Sequence, residues 1–112
     1  MRSPRSIEMQ ILGEVTSRLR QATGATDAAA FPRLAAALHD NRRLWTHLAA
    51  DVADSGNGLP AALRAQIFYL AEFTDFHSRR VLRESADPAI LIEINAMVMQ
   101  GLGQTRAAAV PA

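Results

Sequence analysis

A chain of 112 residues with a net charge of +1 is long enough for one domain with a modest core, and it lacks the positive excess typical of nucleic-acid-binding proteins. It contains no cysteine, which excludes disulfides and thiolate metal sites. The sequence contains no apolar run of about 18 residues, so it predicts no membrane span, and the N-terminus lacks the apolar segment of a signal peptide. We therefore expect a cytoplasmic protein without membrane insertion.

The first predicted helix begins at Ser3-Pro4, because serine caps free N–H groups and proline suits the first helical position. Gly24 is placed to end it. Glu8 projects toward the apolar side of this helix, where a carboxylate needs a partner. We expect it to pair with an arginine or with Asn41, or else to stay solvated at a frayed helix start. The apolar face consists of Ile11, Leu12, Val15, Leu19 and Ala22.

Phe31-Pro32 precedes a second predicted helix, with Pro32 suited to its first turn, and this helix runs to about Ala53. Its apolar stripe surrounds one amide, Asn41, while Arg42 and Arg43 point away from the stripe. We favour a structural role for Asn41, as a buried amide bonded inside the bundle, over a role in a binding groove. The stripe consists of Leu34, Leu38, Trp45, Leu48 and Val52.

A loop rich in glycine and polar residues spans residues 54–58, and a third helix is predicted from Pro60 to Glu84. This helix has two apolar stripes, so it is either central in its bundle or in contact with a partner. The core stripe consists of Leu63, Ile67, Leu70 and Val81. The second stripe consists of Tyr69, Phe73 and Phe76.

Asp87 and Pro88 predict the start of a fourth helix, with a capping carboxylate followed by proline. We expect Ile92 and Met99 to project away from the core and Gly101 to end the helix. The residues expected to face inward are Ile90, Leu91, Ile94, Met97 and Val98.

Together these segments predict an all-α protein, a small bundle of about four helices with short loops. We expect a single α-helical domain at residues 1–102 and a flexible C-terminal tail at residues 103–112.

Few side chains are suited to catalysis or to metal binding. His39 and His47 lie on different sides of the second helix, and His47 with Asp51 supplies only two ligands. We interpret His77 as a partly buried, hydrogen-bonded histidine. No phosphate-binding loop, nucleophile elbow or metalloprotease motif is present. We therefore expect neither an enzyme nor a bound cofactor or metal.

Arginines of the second and third helices raise the alternative of RNA binding. Arg42, Arg43, Arg79, Arg80 and Arg83 could form a basic patch, with neighbouring aromatic rings as stacking platforms. Acidic residues are interleaved with these arginines and the net charge is near zero. Solvated helix arginines are therefore the favoured interpretation.

Four blocks of the sequence resemble the FlaF family, flagellar biosynthesis regulators of alphaproteobacteria. The resemblance extends over nearly the whole chain, from Ser3 to Leu102. The blocks are Ser3-Pro4-Arg5-x-x-Glu8, Asn41-Arg42-Arg43-Leu44-Trp45, Gly58-Leu59-Pro60-x-x-Leu63-Arg64, and Leu91-Ile92-Glu93-Ile94-Asn95 followed by Gly101-Leu102. The family-motif residues carried over individually are Glu8, Asn41, Arg42, Arg43, Trp45 and Asn95.

The resemblance implies a cytoplasmic helical protein that binds flagellin as a secretion chaperone and promotes flagellin synthesis and export. It also implies action alongside FlbT, a second regulator. The alternative is a post-transcriptional regulator that contacts flagellin messenger RNA directly or through FlbT.

Flagellin's terminal segments are amphipathic helices, and an apolar groove on a helical domain could receive one of them. The candidate groove residues are Tyr69, Phe73, Phe76, Ile92 and Met99. The equally weighted alternative is that these side chains complete the core or form a homodimer interface.

Overall fold

The computed structural model describes the backbone of residues 4–54 and 56–109 and the side chains of residues 7–54 and 56–103. This part of the chain forms four α-helices and contains no strand, which confirms the predicted all-α bundle. The helices are α1 (Pro4–Gly24), α2 (Ala30–Ala53), α3 (Ala61–Glu84) and α4 (Ala89–Ala109).

The start of α2 is fixed by the connector before it. The carboxylate of Asp27 accepts a hydrogen bond from the Ala29 backbone N–H at 3.2 Å and pairs with Arg33 at 2.6 Å. Pro32 lies within the first turn of the helix, where a missing N–H leaves no bond unmade. Helix α2 begins at Ala30, slightly before the predicted start near Pro32.

Arg64 fastens the start of α3 to the end of α2. Its Nε donates to the carbonyl oxygen of Val52 at 3.0 Å, and its Nη2 donates to that of Asp54 at 3.1 Å. The last carbonyls of a helix have no partner within the helix, so a guanidinium that binds them caps it. The arginine of the third sequence block thus has a structural role.

Helix α4 continues past Gly101, where the sequence predicted its end, and reaches Ala109. Leu102 is buried in the core, and this burial favours another helical turn over the helix-ending tendency of glycine. The helix therefore extends beyond residue 102, the predicted domain boundary. Residues 110–112 of the predicted tail lie outside the described residues.

The helices form a four-helix bundle with extents of 50 × 24 × 20 Å along its principal axes. Helix α1 contacts α2 and α4, and α3 contacts the same two helices. Accordingly α2 and α4 face each other diagonally across the core, as do α1 and α3.

The interior contains two apolar clusters and a set of buried polar side chains, the polar layer. Along the sequences of α1, α2 and α3, the buried polar residues lie between residues of one cluster and residues of the other. On α4 the buried polar residue directly follows Ile94 in the sequence. The larger cluster contains Leu12, Val15, Leu44, Trp45, Leu48, Val52, Leu59, Ile67, Leu70, Ile94, Val98 and Leu102. The smaller cluster contains Leu19, Ala22, Ala37, Leu38, Val81 and Leu91. The polar layer consists of Thr16, Asn41, Thr74, His77, Ser78 and Asn95.

Candidate partner-binding surface

The amide of Asn95 is the centre of the polar layer. Its Oδ1 accepts a hydrogen bond from Trp45 Nε1 at 2.9 Å. Its Nδ2 donates to Asn41 Oδ1 at 2.8 Å and to Thr16 Oγ1 at 3.0 Å. One side chain of α4 is thereby bonded to α1 and α2 inside the core. Buried polar groups specify a unique packing when they are paired in this way.

The part of the polar layer on α3 is less completely bonded. Thr74 Oγ1 and His77 Nδ1 are buried and make no hydrogen bond, and on α2 the same holds for Asn41 Nδ2. His77 Nε2 lies 2.8 Å from the carbonyl oxygen of Asp87, and the ring stacks on Phe73 with centroids 5.5 Å apart. His77 is thus the buried, hydrogen-bonded histidine that its position on the core side of the helix predicted.

The family-motif residues divide between the interior and the surface. Asn41, Trp45 and Asn95 are buried, and the amide of Asn95 is hydrogen-bonded to the other two. The burial of Asn41 agrees with the structural role that the sequence favours for it. Arg43 is exposed and Glu8 is half-buried, and both line a groove between α1 and α2 of about 490 Å³. The tryptophan and the two amides therefore form hydrogen bonds that join α2 to α4 inside the bundle.

Arg42 and Arg79 share one carboxylate, that of Asp75. Arg42 donates to Oδ1 through Nε at 2.9 Å and through Nη2 at 2.7 Å, and Arg79 Nη2 donates to Oδ2. Partial burial raises the pKa of Asp75, whereas the hydrogen bonds from Arg79 and Arg42 and the positive charges of these arginines lower it. The lowering effects together are larger, so the pKa of Asp75 is below its ordinary value. Arg80 pairs with Glu84 at 3.2 Å. Three arginines of the hypothetical RNA patch are thus partly neutralised.

Three aromatic side chains on the outer side of α3 are exposed. We call them the aromatic face: Phe68 is 47% exposed, Tyr69 67% and Phe76 60%. At about 100° per residue the three lie within a sector of about 100°. Phe73 differs from them, because it is half-buried and packs against the larger cluster. The helix that the sequence predicted to be apolar on two faces therefore buries one face and exposes most of the other.

The two remaining candidate groove residues, Ile92 and Met99, lie elsewhere. Both are half-buried, Ile92 against the smaller cluster and Met99 against the larger one. A Cβ built on Gly13 would lie 3.9 Å from the sulfur of Met99, which places Met99 on the side of α4 that faces α1. Ile92 shares that side, since it precedes Met99 by about two turns. The structure does not bring these two residues together with Tyr69 and Phe76.

Helix α4 is rotated relative to the sequence prediction. Ile90 and Met97, which were expected to face inward, are exposed. The side chains that do face inward share a stripe with Asn95, an amide that could have indicated the buried side. They are Leu91, Ile94, Asn95, Val98 and Leu102.

The aromatic face borders a groove between α2 and α3 with a volume of about 370 Å³. Phe68 and Phe76 line it, Ala49 and Ala71 contribute small side chains, and Trp45 lies at its inner side. The Asp75 ion-pair cluster lies in the same groove. The surface thus combines exposed aromatic rings with fixed charges.

Within the described residues, no group of three or more histidine, cysteine, aspartate or glutamate side chains could hold a metal ion. In the same part of the chain, no helix has the length and apolar character needed to cross a bilayer. The only aromatic ring contact near a histidine is the Phe73–His77 stack, as far as the described side chains extend.

Comparison with known proteins identifies the chain through a family rather than through a single relative. The family described as flagellar protein FlaF matches residues 1–102, which is most of the chain. Neither the search of curated proteins nor the search of solved structures found a match. FlaF is a family of flagellar proteins, and nothing in the match indicates catalysis. The chain belongs to the FlaF family of flagellar proteins.

Proposed function

We propose that this protein binds flagellin in the cytoplasm as a secretion chaperone, promotes flagellin synthesis and export, and receives a terminal amphipathic helix of flagellin on the aromatic face of α3. Membership of a flagellar protein family supports a partner in the flagellar system. The observation that carries the proposal is the exposure of Phe68, Tyr69 and Phe76 on one helix. Clustered exposed aromatic rings mark interaction sites more often than isolated ones do.

The spacing of the aromatic face suits one guest helix. Phe68 and Phe76 are eight residues apart, which is about 12 Å along a helix that rises about 1.5 Å per residue. Anchor side chains at positions i and i+7 of a guest helix are separated by about the same distance. A guest helix that crosses α3 at a small angle could therefore contact both rings along its apolar stripe.

The area of the aromatic face favours a guest helix over a homodimer. A fully buried aromatic side chain covers about 150–250 Å², so three half-exposed rings offer roughly 300 Å². A stable dimer buries about 800 Å² on each partner. The face alone is too small for that interface, whereas it supplies the central anchors that a peptide-binding groove needs.

Co-purification of native flagellin with the tagged protein tests this proposal. The double variant Tyr69→Ser, Phe76→Ser should lose flagellin, because it removes two anchors without changing the core. Phe31→Ser is the matched control, since Phe31 is 59% exposed but lies at the start of α2. Equal capture of flagellin by the wild type, the double variant and the control would refute the assignment.

Phe73→Ala would be a less decisive variant for this purpose. Phe73 packs against the larger cluster and stacks on His77, so its truncation leaves a cavity. A loss of flagellin binding in that variant would reflect a loss of stability as much as a loss of contact. The exposed rings of Tyr69 and Phe76 avoid this ambiguity.

A further inference from the structure

We infer that Arg42 and Arg79 bind a carboxylate of the guest helix in competition with Asp75, so the α2–α3 groove selects a helix with an acidic residue beside its apolar anchors. This inference rests on the proposed function and adds the charge that the partner must carry. It also assigns Asp75 the role of an internal competitor for the two guanidinium groups.

The geometry leaves both arginines able to accept a second carboxylate. Arg42 uses Nε and Nη2 on Asp75, and Arg79 uses Nη2, so neither Nη1 takes part in this cluster. A guanidinium group has five N–H donors and binds planar carboxylates with paired bonds. The side chain of Arg79 is 55% exposed, so an incoming helix can reach it. Two guanidinium groups on one carboxylate leave the cluster with a charge of +1.

The groove is also polarised along α3. Glu72 lines it, seven residues before Arg79, which is about 10 Å along the helix axis. Phe68 and Phe76 lie on either side of Glu72 in sequence and line the same groove. In one orientation, a guest helix whose acidic residue lies beyond one apolar anchor would place that carboxylate next to Arg79 and away from Glu72. In the opposite orientation the carboxylate of the guest helix would lie beside Glu72, and the repulsion between the two negative charges costs free energy.

The state of Asp75 is consistent with this competition. Hydrogen bonds from Arg79 and Arg42 keep the pKa of Asp75 below its ordinary value despite partial burial. The carboxylate is therefore ionised at neutral pH and occupies donors that a partner would otherwise use. Removing its charge would make those donors available at little cost, since the whole cluster is partly solvated.

The test uses two variants of the same ion-pair cluster and titrations of native flagellin monomer. Asp75→Asn should tighten flagellin binding by about fivefold, because it removes the competing charge. Arg79→Gln should weaken binding by about fivefold, because it removes one cation. Arg20→Gln, an exposed arginine on α1, is the matched control and should leave affinity unchanged. Raising the salt concentration should reduce both differences.

Opposite shifts in the two variants would support the inference. A cluster with only a structural role would weaken binding in both variants, and that result, or no change in either, would overturn it. Circular dichroism of each variant would verify that the bundle is intact. If wild-type protein and flagellin fail to associate, the proposed function fails and the inference with it. If they associate and the shifts are absent, only the inference fails.

Discussion

Trp45 on α2 donates a hydrogen bond from its indole N–H to Asn95 on α4, across the diagonal of the bundle. The same amide of Asn95 also reaches Asn41 and Thr16, so one residue joins three helices. Trp45 belongs to the larger apolar cluster, and Asn95 lies between Ile94 and Val98 of the same cluster along α4. Apolar side chains can pack in several registers, whereas a buried hydrogen-bond network is satisfied in only one. The Trp45–Asn95 pair therefore sets how α4 docks on the other helices.

Replacement of Asn95 by leucine tests that role. Asn95→Leu keeps the approximate volume but leaves Trp45 Nε1–H and Asn41 Oδ1 buried without a partner. We expect a loss of about 2–4 kcal/mol in the free energy of unfolding. Urea titration followed by the fluorescence of Trp45, the single tryptophan, would measure it. Gln21→Ala on the exposed side of α1 is the control. A loss below about 0.5 kcal/mol would contradict a structural role for Asn95.

Ser85 offers a prediction in the opposite direction. It follows α3 with a φ of 57°, in the left-handed region that glycine adopts without strain. Ser85→Gly should therefore raise the free energy of unfolding by about 0.5–1 kcal/mol. Ser17→Gly, in the middle of α1, should lower it, because glycine destabilises a helix interior. Thermal melting of the two variants should show shifts of opposite sign, and a destabilised Ser85→Gly would refute the argument.

The cap that Arg64 forms on α2 can be removed without creating a core cavity. Arg64→Met keeps the aliphatic part of the side chain but leaves the carbonyls of Val52 and Asp54 without this donor. We expect a loss of about 1 kcal/mol in unfolding free energy, a typical value for a hydrogen bond to a charged group that remains partly solvated. Arg83→Met, near the end of α3, provides a comparison. Equal stability of the two variants would show that the cap has no energetic effect.

The Asp75 cluster predicts a specific pH dependence of stability. The pKa of Asp75 is lowered in the folded protein from its ordinary value of 3.8, so the unfolded chain binds the proton more tightly. Its stabilising contribution is therefore complete above pH 3.8 and is lost as the pH falls through the folded-state pKa. We expect the stability difference between wild type and Asp75→Asn to be small, because the side chain is partly exposed, and to vanish in acid. A difference that grows below that pH would contradict the assignment.

Much of the fold could be predicted from local signals, because helix ends depend on residues that are close in sequence. Pro4, Gly24 and Asp87 each act within a few residues, and the helices begin or end near them. The burial of Asn41 was also predictable, since it lies inside an apolar stripe of one helix. Its partner was not, because Asn95 is 54 residues away and meets it only when α4 docks.

The errors arise where one helix offers several apolar faces. Ile90, Ile92, Met97 and Met99 give α4 apolar side chains on opposite sides, so periodicity alone does not identify the buried side. Contact with α1 and α3 decides it, and this contact buries Ile92 and Met99 more than Ile90 and Met97. The aromatic stripe on α3 is visible in the sequence, but the half-burial of Phe73 arises only in the folded bundle, where Phe73 packs against the larger cluster and stacks on His77.

The most direct measurement exploits the single tyrosine of the chain. Incorporation of 3-fluorotyrosine gives one fluorine resonance, at Tyr69 on the aromatic face. If a flagellin helix docks there, native flagellin monomer should shift or broaden this resonance. It should also reduce the change in chemical shift that occurs when H2O is replaced by D2O, because the fluorine becomes less exposed to solvent. The Phe76→Ser variant should need more flagellin to reach the same change. A resonance that stays unchanged while flagellin is bound would place the binding site elsewhere and contradict the account.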